Sequence, residues 1–137
     1  MKIFIDTSSL FKKYYIEAGS QKLFEMLRQA TEIVVAHITY IEIQNTLKRI
    51  YFEKKFTKEN YDILCKQINS DFPYFQETQW NDELKNICLT LINKYQLRSL
   101  DIIQLASAQY ARPQVFITSD KRQYEIAKKE LKRAVML

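Results

Sequence analysis

The chain has one glycine and one histidine among its 137 residues. With Gly19 alone, neither a GxGxxG turn nor a Walker A loop can be built, which removes dinucleotide and P-loop nucleotide chemistry. With His37 alone, a nuclease using a histidine pair as acid and base is excluded. Cys65 and Cys88 are the only cysteines, and they do not form a CxxC pair. A Cys/His zinc site therefore lacks ligands, and the two thiols read as buried and reduced rather than as a disulfide framework. No apolar run approaches the roughly 18 residues needed to span a bilayer. Asp6 interrupts the apolar start, which argues against a signal peptide. The chain is read as soluble and cytoplasmic. What remains for catalysis is carboxylates, hydroxyls and amines, and carboxylates favour hard cations such as Mg²⁺ or Mn²⁺.

Apolar residues make up 47% of the chain, enough for one domain over residues 1–137 with an adequate core. Lysine and arginine outnumber the acids by 21 to 16, a net charge of +5 that permits nucleic-acid binding without establishing it. Apolar patterning predicts strands at 2–6, 33–36 and 115–118, with short ones at 74–76 and 134–136. Helices are expected at 8–16, 20–30, 39–54, 58–70, 81–95, 100–110 and 121–133, the first capped by Ser8 or Ser9. Strands alternating with helices imply βαβ units and a mostly parallel sheet.

Most of the acids lie among lysines and read as solvated surface charge, among them Glu53, Glu59, Asp62, Glu125 and Glu130. Four differ, because they fall at strand-to-helix junctions. Asp6 ends the first strand. Glu42 lies one turn into its helix, where Thr39-x-x-Glu42 also reads as a capping box. Asp101 sits in the first turn of its helix, where the helix dipole favours an acid. Asp120 follows Phe116-Ile117-Thr118-Ser119 and is also a possible N-cap. Right-handed connections bring all four to the carboxyl edge of the sheet. Four carboxylates there repel one another unless a cation compensates them, so a metal site is the economical reading.

The order of these stretches resembles the PIN-domain ribonucleases, and most closely the VapC-type toxins of bacterial toxin–antitoxin pairs. The matching stretches are Ile5-Asp6-Thr7-Ser8-Ser9-Leu10 and Ile38-Thr39-Tyr40-Ile41-Glu42. Leu97 to Ala106, which contains Asp101, and Phe116 to Asp120 complete the set. The resemblance implies a three-layer α/β/α sandwich around a parallel sheet of about five strands. It implies an endoribonuclease dependent on Mg²⁺ or Mn²⁺, with Asp6, Glu42, Asp101 and Asp120 as catalytic metal-binding acids and Thr118 and Thr7 as supporting polar groups. Many relatives carry histidine where Gln104 stands, and a glycine near the end of the last helix that Glu130-Leu131-Lys132-Arg133 lacks.

Lys12, Lys13, Arg49, Arg98, Lys121 and Arg122 are candidate phosphate contacts. Tyr14, Tyr15 and Tyr40 are candidate base-stacking residues, with core packing as the rival role. A toxin implies a small antitoxin partner, for which Tyr51, Phe52 and Phe56 are candidate groove residues. The resemblance also suggests a homodimer. Two alternatives stand beside the ribonuclease: a non-catalytic RNA-binding or assembly module on the same fold, and a metal-dependent phosphatase or phospho-acceptor domain. The last is disfavoured because residue 8 is serine where such sites open with a second aspartate.

Overall fold

The computed structural model describes residues 1–137. Five strands form one parallel sheet: β1 (Lys2–Ile5), β2 (Glu32–Ala36), β3 (Gln76–Thr78), β4 (Val115–Thr118) and β5 (Ala134–Met136), in the order β3-β2-β1-β4-β5. The central strands are short, apolar and nearly fully buried, as a sheet covered on both faces requires. The order reverses direction at β1, so the gap between β1 and β4 is the crevice where sites of open α/β sheets form.

Seven helices supply the outer layers: α1 (Thr7–Phe11), α2 (Ser20–Gln29), α3 (Thr39–Phe52), α4 (Lys58–Asp71), α5 (Asp82–Lys94), α6 (Ser99–Ala111) and α7 (Lys121–Glu130). Alternate strand residues divide the core in two. Ile3, Ile5, Val35, Val115 and Ile117 pack with Leu10, Leu23, Ile43, Leu47 and Ile68 from α1 to α4. Phe4, Val34, Ala36 and Phe116 pack with Leu84, Leu91, Ile102, Leu105 and Ile126 from α5 to α7. The result is the three-layer sandwich that the resemblance implies, around the parallel sheet that the alternating pattern predicts. No helix is long and apolar enough to cross a membrane, and Cys65 and Cys88 are free thiols.

Three of the differences between the element boundaries and the sequence reading have a clear cause. The first helix stops at Phe11 rather than continuing to residue 16. Lys12, Lys13 and Tyr14 each donate to a carbonyl three residues back, which tightens the chain into turns and turns the Tyr14 ring into the core. The third strand begins at Gln76, because Phe72–Tyr74 around Pro73 winds into a 3₁₀ turn. The last helix ends at Glu130, with Leu131 in extended geometry. No glycine is needed for that exit, so the departure from the family pattern is absorbed by the backbone. Gly19 is used where a glycine is needed. It caps α2 at φ 94°, and a Cβ there would meet Leu137 Cβ at 3.0 Å.

Candidate active site

Asp6 emerges from β1 and its amide donates to Ile117 O at 3.1 Å, so the residue is fastened across the β1–β4 crevice. It, and not Ser8 or Ser9, is the N-cap of α1. Its Oδ1 accepts the Ser9 amide at 2.9 Å and the Ser8 hydroxyl at 3.0 Å. Its Oδ2 accepts Ser8 Oγ at 3.0 Å and also Thr118 Oγ1. Every one of these donors is neutral. The carboxyl is buried, and desolvation pushes its pKa up to about 6 against the lowering effect of those hydrogen bonds.

Thr118 joins the two strand ends, because its hydroxyl donates to Asp6 and accepts the Asp120 amide at 3.0 Å. Asp120 caps α7, taking the Gln123 amide on Oδ1 at 2.7 Å. From the next turn, Gln123 Nε2 reaches across to Asp101 Oδ1 at 3.1 Å. The Asp101 carboxyl is raised, first by burial and then by the negative charge of Asp120 beside it; Arg98 and the Gln123 bond oppose the rise. Asp6, Asp120 and Asp101 thus form one chain of contacts along the carboxyl edge, linked by Thr118 and Gln123.

Glu42 joins the edge by a separate set of contacts. The capping box does not form: Ile38 stands at the cap of α3 and Glu42 turns elsewhere. Its Oε1 accepts Thr7 Oγ1 at 2.8 Å and Gln104 Nε2 at 2.7 Å. Gln104 Nε2 also lies 2.9 Å from Thr7 Oγ1 and 3.2 Å from Thr39 Oγ1. Thr7 is therefore beside Glu42, and Thr118 beside Asp6 and Asp120.

Gln104 and Gln123 were missed as site residues by sequence reasoning. Gln104 carried a signal, since it is a lone polar residue inside Ile102-Ile103-Gln104-Leu105-Ala106, one turn beyond Asp101. Asp120-x-x-Gln123 also has the capping-box spacing, but the glutamine side chain goes to Asp101 instead.

The donor set suits a hard cation. It is all oxygen, it carries several carboxylates, and burial raises two of them, Asp6 and Asp101. The same side chains are not gathered into a finished coordination sphere, as no three His, Cys, Asp or Glu groups converge closely enough to hold an ion.

The candidate phosphate contacts divide. Lys12 is spent internally, with Nζ 2.9 Å from both Glu17 Oε1 and Ala18 O and the side chain only 12% exposed. Lys13 pairs with Asp71 on α4 and lies over the Tyr14 ring. Arg49 stands ten residues along α3, about 15 Å from the helix start at 1.5 Å per residue, and pairs with exposed Glu53. These three do not serve the edge. Arg98 does: its side chain is 92% exposed and lies 3.9 Å from Asp101 Oδ2. Lys121 and Arg122 are exposed in the first turn of α7, next to Asp120.

The tyrosines follow the packing role. Tyr14 OH donates to Asp71 at 2.8 Å. Tyr15 lies edge-on to Phe56, and Tyr40 packs on Phe72 and donates to Asn69. Of the three groove candidates, only Phe52 is broadly exposed; Tyr51 stacks on Tyr61. Glu130 is not solvated surface charge. Its side chain is 14% exposed and takes Tyr95 OH at 2.6 Å, Gln109 Nε2 at 3.1 Å and Lys94 Nζ at 3.3 Å.

A family model described as PIN domain matches residues 3–129. Solved structures align over nearly the whole chain at low identity. A toxin–antitoxin complex from Klebsiella pneumoniae is 18% identical, with a TM-score of 0.67 over 89% of each chain. VapBC2 from Rickettsia felis, bound to a DNA fragment from their promoter, is 10% identical, with a TM-score of 0.71 over 100% of this chain and 99% of that one. VapC20 from Mycobacterium tuberculosis, described as a sarcin-ricin loop cleaving toxin, is 12% identical, with a TM-score of 0.67 over 95% of this chain and 97% of that one. At such identities the likeness is one of fold. Among curated proteins none matches this sequence.

Proposed function

The chain belongs to the PIN-domain family, and on that premise we propose that it is a metal-dependent endoribonuclease acting in the cytoplasm as the toxin of a toxin–antitoxin pair. The observation that carries this reading is the linked run of Asp6, Thr118, Asp120, Gln123 and Asp101 along the β1–β4 edge. Asp6, Asp101 and Asp120 would hold the Mg²⁺ or Mn²⁺, with Glu42 holding it directly or through water. When bound, such an ion lowers the pKa of a coordinated water and offsets charge developing on a scissile phosphate.

The remaining steps fall to the chain's own groups. Thr118 fixes the carboxylate plane of Asp6 and ties it to the Asp120 backbone. Arg98, Lys121 and Arg122 line the rim as exposed cations and would grip the flanking phosphates of an RNA strand. The partners implied are that RNA and an antitoxin that covers the acids, with Phe52 as the exposed aromatic nearest to a docking role. A second copy of the chain is a further implied partner.

One observation favours the non-catalytic alternative. The Asp6 oxygens are already filled by neutral donors, and no three acids converge on one point. Both readings are tested together. Purified protein is expected to cleave total RNA with Mn²⁺ and to lose that activity with EDTA and in Asp101→Asn. Calorimetric titration should show Mn²⁺ binding that Asp101→Asn abolishes. Intact RNA with no bound Mn²⁺ in the wild type leaves the binding module standing.

A further inference from the structure

Two glutamines stand behind the acids in matching circumstances. Gln104 on α6 is 2% exposed and Gln123 on α7 is 4% exposed. Each sends its amide nitrogen to a site acid, Gln104 to Glu42 at 2.7 Å and Gln123 to Asp101 at 3.1 Å. Each leaves its amide oxygen buried without a partner. The orientation follows from chemistry, because an ionised carboxylate only accepts and must face the nitrogen. Turning either amide over would set oxygen against the carboxylate oxygen.

Leaving a buried carbonyl unpaired is unfavourable, so the arrangement needs a reason. The choice of donor supplies it. A lysine or arginine in either place would hold the acid more strongly and would also neutralise it. An amide fixes the direction of the carboxylate while leaving its charge uncompensated. The Thr7 hydroxyl reinforces the first clamp, since it donates to Glu42 and accepts from Gln104, closing a ring of three groups.

We propose that Gln104 and Gln123 are positioning residues, a pair of neutral clamps that aim Glu42 and Asp101 along the sheet edge while keeping both available to a cation. The proposal rests on the reading of this edge as a metal-dependent nuclease site.

Gln104→Leu and Gln123→Leu test it, because each removes donor and orphaned oxygen together at similar volume. In each variant kcat on RNA per folded molecule should fall roughly tenfold to a hundredfold, the usual scale for groups that orient metal ligands. KM should stay within about twofold. In a Glu42→Gln background, adding Gln104→Leu should cost less than about twofold more, as expected for residues acting through one another. Full cost in that background, or none in the wild type, overturns the proposal. A second readout needs no activity. In metal-free ¹⁵N-labelled protein the side-chain amide protons of Gln104 and Gln123 should exchange slowly. They should shift on Glu42→Gln and Asp101→Asn respectively, and signals indifferent to those changes overturn the clamps. If the wild type cleaves no RNA with either ion, the nuclease reading falls and the amide signals alone decide the clamps.

Discussion

The two ends of α7 each hold an acid, and the two are treated in opposite ways. At the far end, Glu130 is met by a tyrosine hydroxyl, an amide and a lysine, and its pKa lies below the usual carboxylate range, chiefly through the Tyr95 bond. At the near end, Asp120 faces Asp101, which is raised by burial and by that neighbour's charge. Asp6 beyond them is raised further by burial among neutral donors. One helix thus separates an acid met by three donors, a lysine among them, from acids whose one ion-pair partner is the exposed Arg98, 3.9 Å from Asp101. The first is structural. The others have an environment that a bound cation would complete.

The comparison is broken most severely by exchanging acids for amides at the near end. Asp120→Asn keeps a good N-cap, so the melting temperature should hold. RNA cleavage should nevertheless fall on the order of 10³-fold, equivalent to about 4 kcal/mol of transition-state stabilisation. Retained cleavage would reduce Asp120 to a helix cap.

Asp6→Asn sharpens the contrast through pH. The folded carboxyl titrates near 6 against an ordinary value of 3.8. Between those values the folded chain holds a proton that the unfolded chain has released, so stability falls as pH rises. Above pH 6 the full cost of about 3 kcal/mol applies. Urea unfolding in EDTA should therefore find Asp6→Asn more stable than wild type at pH 7.5 by up to that amount, with the gain gone near pH 4. A gain independent of pH would show that burial of the charge is not its cause.

Glu130→Ala acts on the other end of the helix. It strips partners from Tyr95 and Gln109 and should cost about 1–3 kcal/mol in the same unfolding assay, with cleavage per folded molecule unchanged. Arg98→Ala gives the smallest effect: a few-fold rise in KM for RNA that disappears at high salt, as a single exposed phosphate contact predicts.

The fold was legible because its information is local. Short apolar strands and the amphipathic stretches between them mark the layers. The four acids were legible for the same reason, since each sits at a junction that the pattern itself locates. Several misplaced side chains have partners that the local pattern does not reveal. Glu130 looks solvated among its lysines, and only packing brings Tyr95 and Gln109 to it. Lys12 and Lys13 look free until the early end of α1 turns them toward Glu17 and Asp71. Gln104 sits in an apolar run, but its partner Glu42 is 62 residues away.

That separation in sequence bears on when the edge can exist at all. The bond from Thr118 to Asp6 spans 112 residues, and β1 gains its second neighbour only when β4 pairs with it. A chain emerging from the ribosome presents Asp6 first and must hold it on an unfinished sheet until nearly all the rest has been made. Contacts this distant form late. No nascent fragment that stops short of Asp120 carries the assembled acids, so the destructive chemistry proposed for this protein is withheld until most of the chain has been made.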